Sequence, residues 1–302
     1  MKKLILGFTL LANITYASDI PKDYPNTKLG ELIKLGADIL TNTDTHPLTK
    51  DLVGNKLKCI SCHLPVADGK PGTTTNIGTF LKVGTRYPAY KSREGVTQTL
   101  QDRIDNCFMR SMDGMRPIID SKASMAMYTY ITWLSTGEKI NLDSSTNHSL
   151  DFANNLKKFK EVIEKSTHKN YVAGEKLYVA KCASCHGSNG EGVATFPPLW
   201  GKGKDGKWLS YNSGAGMSKL HKAAEWIQSN MPFGQGGTLS VQESSDVSLY
   251  INAQERNSFD LSKKLENLKN KGYYNSKILD EKHSVETNFK DLGLDLKTIR
   301  QD

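Results

Sequence analysis

Residues 171–186 read YVAGEKLYVAKCASCH, and the last five letters decide the fold. The same Cys-x-x-Cys-His pattern stands earlier as CISCH at 59–63, again downstream of a helix-like stretch, KLGELIKLGADIL at 28–40. Each unit then runs through a loop-rich middle and closes on an amphipathic aromatic run, MAMYTYITWLSTG at 125–137 and DVSLYINAQE at 246–255. The order helix, motif, loop, closing helix is therefore present twice. No strand-like alternation dominates either unit, so the expected class is all-α.

Three chemistries use this motif. A thioredoxin-like redox pair wants a surrounding β-α-β pattern, which is missing here. A zinc site wants two further ligands at short spacing, and neither unit has a second Cys-x-x-Cys or a His-x-His. Covalent haem c uses both thiols as thioethers and the adjacent histidine as an iron ligand, and it asks for nothing else nearby. Two copies in equivalent places point to two covalently bound haem c groups, on Cys59, Cys62 and His63 and on Cys182, Cys185 and His186. In the second unit GSNGEGVATFPPLWG, 187–201, resembles the class I cytochrome c loop, in which a proline carbonyl fixes the histidine tautomer. Pro197 is the candidate acceptor.

Each iron also needs a distal ligand. Met231, in SNMPFG, lies in a loop after the helix-like AAEWIQ and is the first candidate in unit two, with Met217 as the runner-up. Unit one offers Met109, Met112, Met115, Met125 and Met127, and also Cys107, the fifth and unpaired cysteine. In an oxidising compartment a free thiol is usually paired or absent, and bonding to ferric iron would protect it. The alternative is a small buried hydrophobe. Arg93, Arg103, Arg110 and Arg116 flank Cys107, and helical spacing puts Arg103, Cys107 and Arg110 on one face. Such a cluster lowers a thiol pKa and binds oxyanions.

The formal charge is +8, from 40 basic against 32 acidic residues spread along the chain, with no basic stripe of the kind that binds nucleic acid. The first residues, MKKLILGFTLLANITYA, read as a signal peptide over 1–17, giving a periplasmic protein with no membrane span in its mature form. The expected plan is an N-terminal cytochrome c domain over 18–145, a C-terminal one over 146–258, and an extension over 259–302 packed on the second domain. The linker EKINLDSSTNHSLDF marks the boundary.

HPLTKDLVGNKLKCISCHLPVADGKPGT at 46–73, followed by REG and DRIDNCFMRSMDGM, resembles the dihaem thiosulfate dehydrogenases over about residues 30–255. The resemblance implies an active-site haem with His63 and Cys107 as axial pair, and a relay haem with His186 and Met231. It places Arg93, Arg103 and Ser111 around a sulfur-anion site. It implies two thiosulfates coupled to tetrathionate, reversibly, with electrons leaving to a partner such as a c-type cytochrome. Cys107 then either leaves the iron or is itself thiolated by substrate. A plain dihaem electron carrier would instead show methionine at both distal positions. A cysteine-ligated haem subunit of a sulfur-oxidising complex would hand thiosulfate to a carrier protein.

Overall fold

The computed structural model describes residues 20–21, 23–114, 118–142, 150–265 and 274–301. The expected signal peptide, Met115 and Arg116 lie outside the described residues.

The first unit opens with α1 (Lys28–Thr41), capped by the Thr27 hydroxyl, which accepts from the Gly30 N–H. A β-hairpin, β1 (Ala89–Lys91) with β2 (Val96–Gln98), leads into α2 (Leu100–Arg110), where Thr99 and Asp102 form a reciprocal capping box. α3 (Lys122–Trp133) closes the unit against α1. Gly36 permits this packing, since a Cβ there would strike the Ala126 carbonyl. Ile33, Leu40, Phe80, Phe108, Met127 and Tyr130 form the core between these elements.

The second unit repeats the design. After α4 (Leu150–Ile163) come α5 (His168–Lys181), the short α6 (Ala183–His186), α7 (Leu220–Asn230) and α8 (Val241–Ala253). α5 crosses α8 where Gly174 meets the Asp246 carbonyl, the counterpart of the Gly36 contact. The architecture is two tandem, mainly helical cytochrome c units with short strands only. Among the described residues no helix is long and apolar enough to cross a membrane.

Two features differ from expectation. The polar linker is followed at once by α4, which buries Phe159 and Ile163, one helical turn apart, against Leu220 and Leu249. The extension is not confined to the second unit. Its first part, β3 (Phe259–Asp260), α9 (Leu261–Lys264) and β4 (Lys282–His283), packs Phe259, Leu261 and Tyr274 around Met109 of the first unit. Lys264 Nζ pairs with the buried Asp113 at 2.6 Å, and Asn275 Nδ2 donates to the Thr97 carbonyl on β2. Its last part, α10 (Val285–Lys290) and α11 (Leu296–Arg300), lays Phe289 and Ile299 into the second core. Burying Phe289 alone is worth roughly 2 kcal/mol. The apolar residues of the tail serve two different cores, which is why they look scattered in sequence.

The two units also meet directly along α7. Trp226 Nε1 donates to the Cys62 carbonyl at 3.2 Å and Asn230 Nδ2 to the Ile77 carbonyl at 3.0 Å. In return Asn76 Nδ2 donates to the Ser229 carbonyl at 2.8 Å.

Candidate functional site

A tight turn over Cys59–Ser61 carries the first motif, and the Thr43 hydroxyl accepts from the Cys59 N–H at 3.0 Å. Cys59, Cys62 and His63 line one side of a cavity of about 1490 Å³. His63 Nδ1 donates to the Gly78 carbonyl at 2.6 Å, so the Nε2 lone pair is left for a metal. Phe80 stacks on the ring with centroids 4.1 Å apart. Burial, reinforced by the Arg103 charge against the Gly78 hydrogen bond, lowers the His63 pKa to about 4, so the imidazole is neutral, as a ligand must be. Burial pushes the Cys59 and Cys62 thiols up to about 12. A redox Cys-x-x-Cys needs the opposite shift.

α2 supplies another wall. Cys107, the arginine one turn before it and the serine one turn after it all line the cavity. Arg103 Nη1 donates to Cys107 Sγ at 3.0 Å, and the Cys107 charge is the main reason that the Arg103 pKa is raised. Ser111 caps the helix, its carbonyl held by Asn55 Nδ2 at 2.8 Å. Met112 and Met127 also reach the cavity, whereas Met125 is exposed and Met109 belongs to the core shared with the extension.

The arginine cluster is only partly a cavity feature. Arg93 lies at the hairpin turn and its Nε donates to Glu94 at 2.7 Å. Arg110 shares a helix with Cys107, but its guanidinium is buried and held by both oxygens of Glu281, at 2.9 and 2.7 Å, over the Phe259 ring. It is an anchor for the extension and not a wall of the cavity. Arg86 and Lys91, which sequence reading missed, do line it. Arg86 Nε is buried without a hydrogen-bond partner, and Lys91 Nζ sits 4.7 Å above the Tyr87 ring. Neither has periodicity or a motif to announce it; a basic residue on each side of Tyr87 was the only sign.

In the second unit Cys182 caps the C-terminus of α5 and α6 carries the rest of the motif. His186 Nδ1 donates to the Pro197 carbonyl at 2.8 Å, the partner expected from the FPPL loop. Burial lowers the His186 pKa, and the Tyr178 hydroxyl donates to the Gly187 carbonyl at 2.6 Å. Met231 follows directly on α7 and packs, with Cys182 and Leu199, against Tyr178, Trp200 and Trp226. Met217 borders the same cluster and also touches the group around Leu57 and Met112. The residues at both motifs fit a haem c: two thiols, a neutral histidine with an anchored Nδ1, and a sulfur donor close to each.

Residues 54–140 match the family described as SoxA/TsdA, cytochrome c domain, and residues 171–255 match Cytochrome c. A thiosulfate dehydrogenase of Thiomonas intermedia is 35% identical over 237 residues, which are 77% of this chain and 68% of that protein. One from Allochromatium vinosum is 36% identical over 233 residues, 75% of this chain and 79% of its own length. Among solved structures, the thiosulfate dehydrogenase TsdBA of Marichromatium purpuratum in its as-isolated form superposes with a TM-score of 0.60 at 31% identity. The match covers 77% of this chain, which spans about half, 47%, of that longer one. Each of the two units carries one covalent haem c.

Proposed function

This chain belongs to the thiosulfate dehydrogenases, and from that premise we propose that it couples two thiosulfates to tetrathionate in the periplasm, reversibly, passing electrons to an external redox partner such as a c-type cytochrome. The observation that carries the reading is the Arg103–Cys107 contact inside the cavity that also holds Cys59, Cys62 and His63. His63 and Cys107 would hold the iron of the first haem, and His186 and Met231 that of the second. When bound, the haems supply two one-electron acceptors.

The electron and charge balance needs no acid or base. The Cys107 thiolate and the outer sulfur of one thiosulfate form an S–S bond and release two electrons, leaving Cys107–S–S–SO₃⁻. The outer sulfur of a second thiosulfate then attacks the sulfane sulfur, and Cys107 departs as thiolate with tetrathionate formed. Run backwards, the same steps reduce tetrathionate.

The obstacle is electrostatic. The Cys107–S–S–SO₃⁻ monoanion and an incoming thiosulfate dianion about 6 Å apart repel by roughly 6 kcal/mol at an effective dielectric of 20, which cationic side chains beside them must offset. In this reading Arg103 orients the thiolate, Ser111, which lines the cavity, donates to a sulfonate oxygen, and Arg93 adds charge from the hairpin. Cys107→Ser tests the reading. Both haems should stay attached, since their thioethers use other cysteines, while turnover of thiosulfate and tetrathionate collapses and the low-temperature EPR signature of histidine–thiolate iron disappears. Near-normal turnover in this variant would leave a dihaem electron carrier as the better account.

A further inference from the structure

Among the described residues, the cavity of the first unit is lined by the cations Lys58, Arg86, Lys91, Arg103, Lys157 and Lys158 and by the acids Glu161 and Glu225. Both acids come from the second unit, on α4 and α7, so the wall that the first unit supplies holds cations and no carboxylate. We propose that Arg86 and Lys91 are the counter-ions of the propionate carboxylates of the first haem, and thereby help to set its potential. The inference concerns the haem that this unit carries, and it stands or falls separately from the coupling reaction.

The cations sort by what already holds them. Arg103 donates to Cys107 Sγ at 3.0 Å. Lys58 lies 3.9 Å from Asp44 and Lys157 lies 3.8 Å from Glu161. Lys158 is exposed, where water solvates an ammonium in full. Arg86 and Lys91 are half-buried, and among the described residues neither side chain makes an ion pair or a hydrogen bond. A guanidinium keeps its charge at any ordinary pH, and the Nε of Arg86 has lost water without gaining an acceptor. Such a group is costly unless an anion faces it.

Both residues are fixed at the wall by their backbone. The turn Val83–Arg86 is tied to the end of α3 and the segment after it: the Gly84 N–H donates to Ser135 Oγ at 3.0 Å, and the Asn141 N–H to the Thr85 carbonyl at 2.9 Å. Lys91 ends β1, and its Nζ lies 4.7 Å above the ring of Tyr87, which also lines the cavity. Burial, and then the Arg103 charge, lowers the Lys91 pKa; Glu94 opposes this, and Arg86 adds to the lowering. Glu94 itself is committed to Arg93 at 2.7 Å. The anionic groups of a haem are its two propionates, and this wall offers two uncommitted cations. A thiosulfate is also an oxyanion, but it comes and goes with turnover, whereas a charge partly closed to water needs a partner that stays.

Three measurements on the holoprotein test this, with Arg86→Met, Arg86→Lys and Lys91→Met as variants. In resonance Raman difference spectra, where the bands of the second haem cancel, the propionate bending band of the first haem should move in both methionine variants. The first-haem midpoint should fall in both, because losing a nearby positive charge favours ferric iron: roughly a three- to tenfold change in the ferric-to-ferrous ratio, or about 30–60 mV for a one-electron couple. The second midpoint should hold, and Arg86→Lys should keep most of the first. Thermal stabilisation by sulfate should be equal in parent and variants, since both cations are already engaged. Lys91→Met and Arg86→Lys carry the test if Arg86→Met loses its fold. An unmoved propionate band overturns the proposal; if sulfate stabilisation is then lost in the variants, the pair serves a free oxyanion such as the substrate. The predicted shifts in a protein that does not oxidise thiosulfate would refute the proposed reaction and keep the counter-ions.

Discussion

Glu281→Gln isolates the tie between the C-terminal extension and the helix that carries Cys107. In the parent, Lys219 Nζ lies 3.4 Å from His283 Nδ1, His283 Nε2 donates to Glu281 at 2.7 Å, and Glu281 takes both guanidinium nitrogens of Arg110. Burial raises the Glu281 carboxyl, but the His283 hydrogen bond and the Arg110 charge outweigh it and bring its pKa from 4.5 to about 2. A drop of that size corresponds to roughly 3 kcal/mol of native-state stabilisation, or about 2 after allowing for solvent screening. Removing one partner of a buried pair commonly costs 3–5 kcal/mol, and here Glu94, 3.9 Å from Arg110, softens the loss. The expected cost is therefore about 2–3 kcal/mol, or a fall in Tm of about 4–10 °C. Because the folded pKa is depressed, this stability is complete above the unfolded value near 4.5 and disappears as pH falls through about 2. Calorimetry of parent and variant at pH 7, 4.5, 3.5 and 2.5 should show the gap in Tm closing across that window. A gap below 2 °C at pH 7, or one that ignores pH, would refute the argument.

Intact mass should exceed the polypeptide by two haem groups, and His63→Ala should keep the thioethers while abolishing the normal spectrum of the first haem. If the Cys107 thiolate ligates the first iron and the Met231 thioether the second, as proposed, the second haem should reduce first in a redox titration, and Met231→Gly should lower its midpoint with little change in the first; if Met217→Gly does so instead, the ligand is misassigned. Gly78→Ala should cost at least about 2 kcal/mol and shift the first haem's spectrum, because Gly78 has φ of +100° and a Cβ there would lie 2.7 Å from the Cys62 carbonyl and 3.1 Å from Trp226 Nε1. Parent-like Tm and spectra in that variant would sink the coupling of the His63 anchor to α7.

What could be read from sequence was what depends on neighbours along the chain. Cys-x-x-Cys-His needs no distant residue to be recognised, Pro197 is eleven positions from the histidine it holds, and Arg103 lies one helical turn from Cys107. The same local logic misplaced Arg110. Helical spacing put it on the Cys107 face, but a long side chain goes where its counter-charge is, and Glu281 lies 171 residues away. The α4 helix escaped because its described core contact rests on Phe159 and Ile163 alone, within a run dominated by lysine and glutamate. Arg86 and Lys91 escaped because an irregular loop and a three-residue strand bring them to the cavity, and neither has a periodicity to read.

A division into a catalytic and a relay domain treats α7 as part of the relay, yet its contacts do not respect that boundary. Trp226 donates to the Cys62 carbonyl, Asn230 donates to the carbonyl next to the one that orients His63, and Met231 follows immediately. A shift of this helix by one ångström would move the anchor of one histidine and the candidate sulfur ligand of the other iron together. Selection on either of the two therefore constrains the other. This is a physical reason for two redox centres to share a rigid interface when a flexible linker would have sufficed to join two electron carriers.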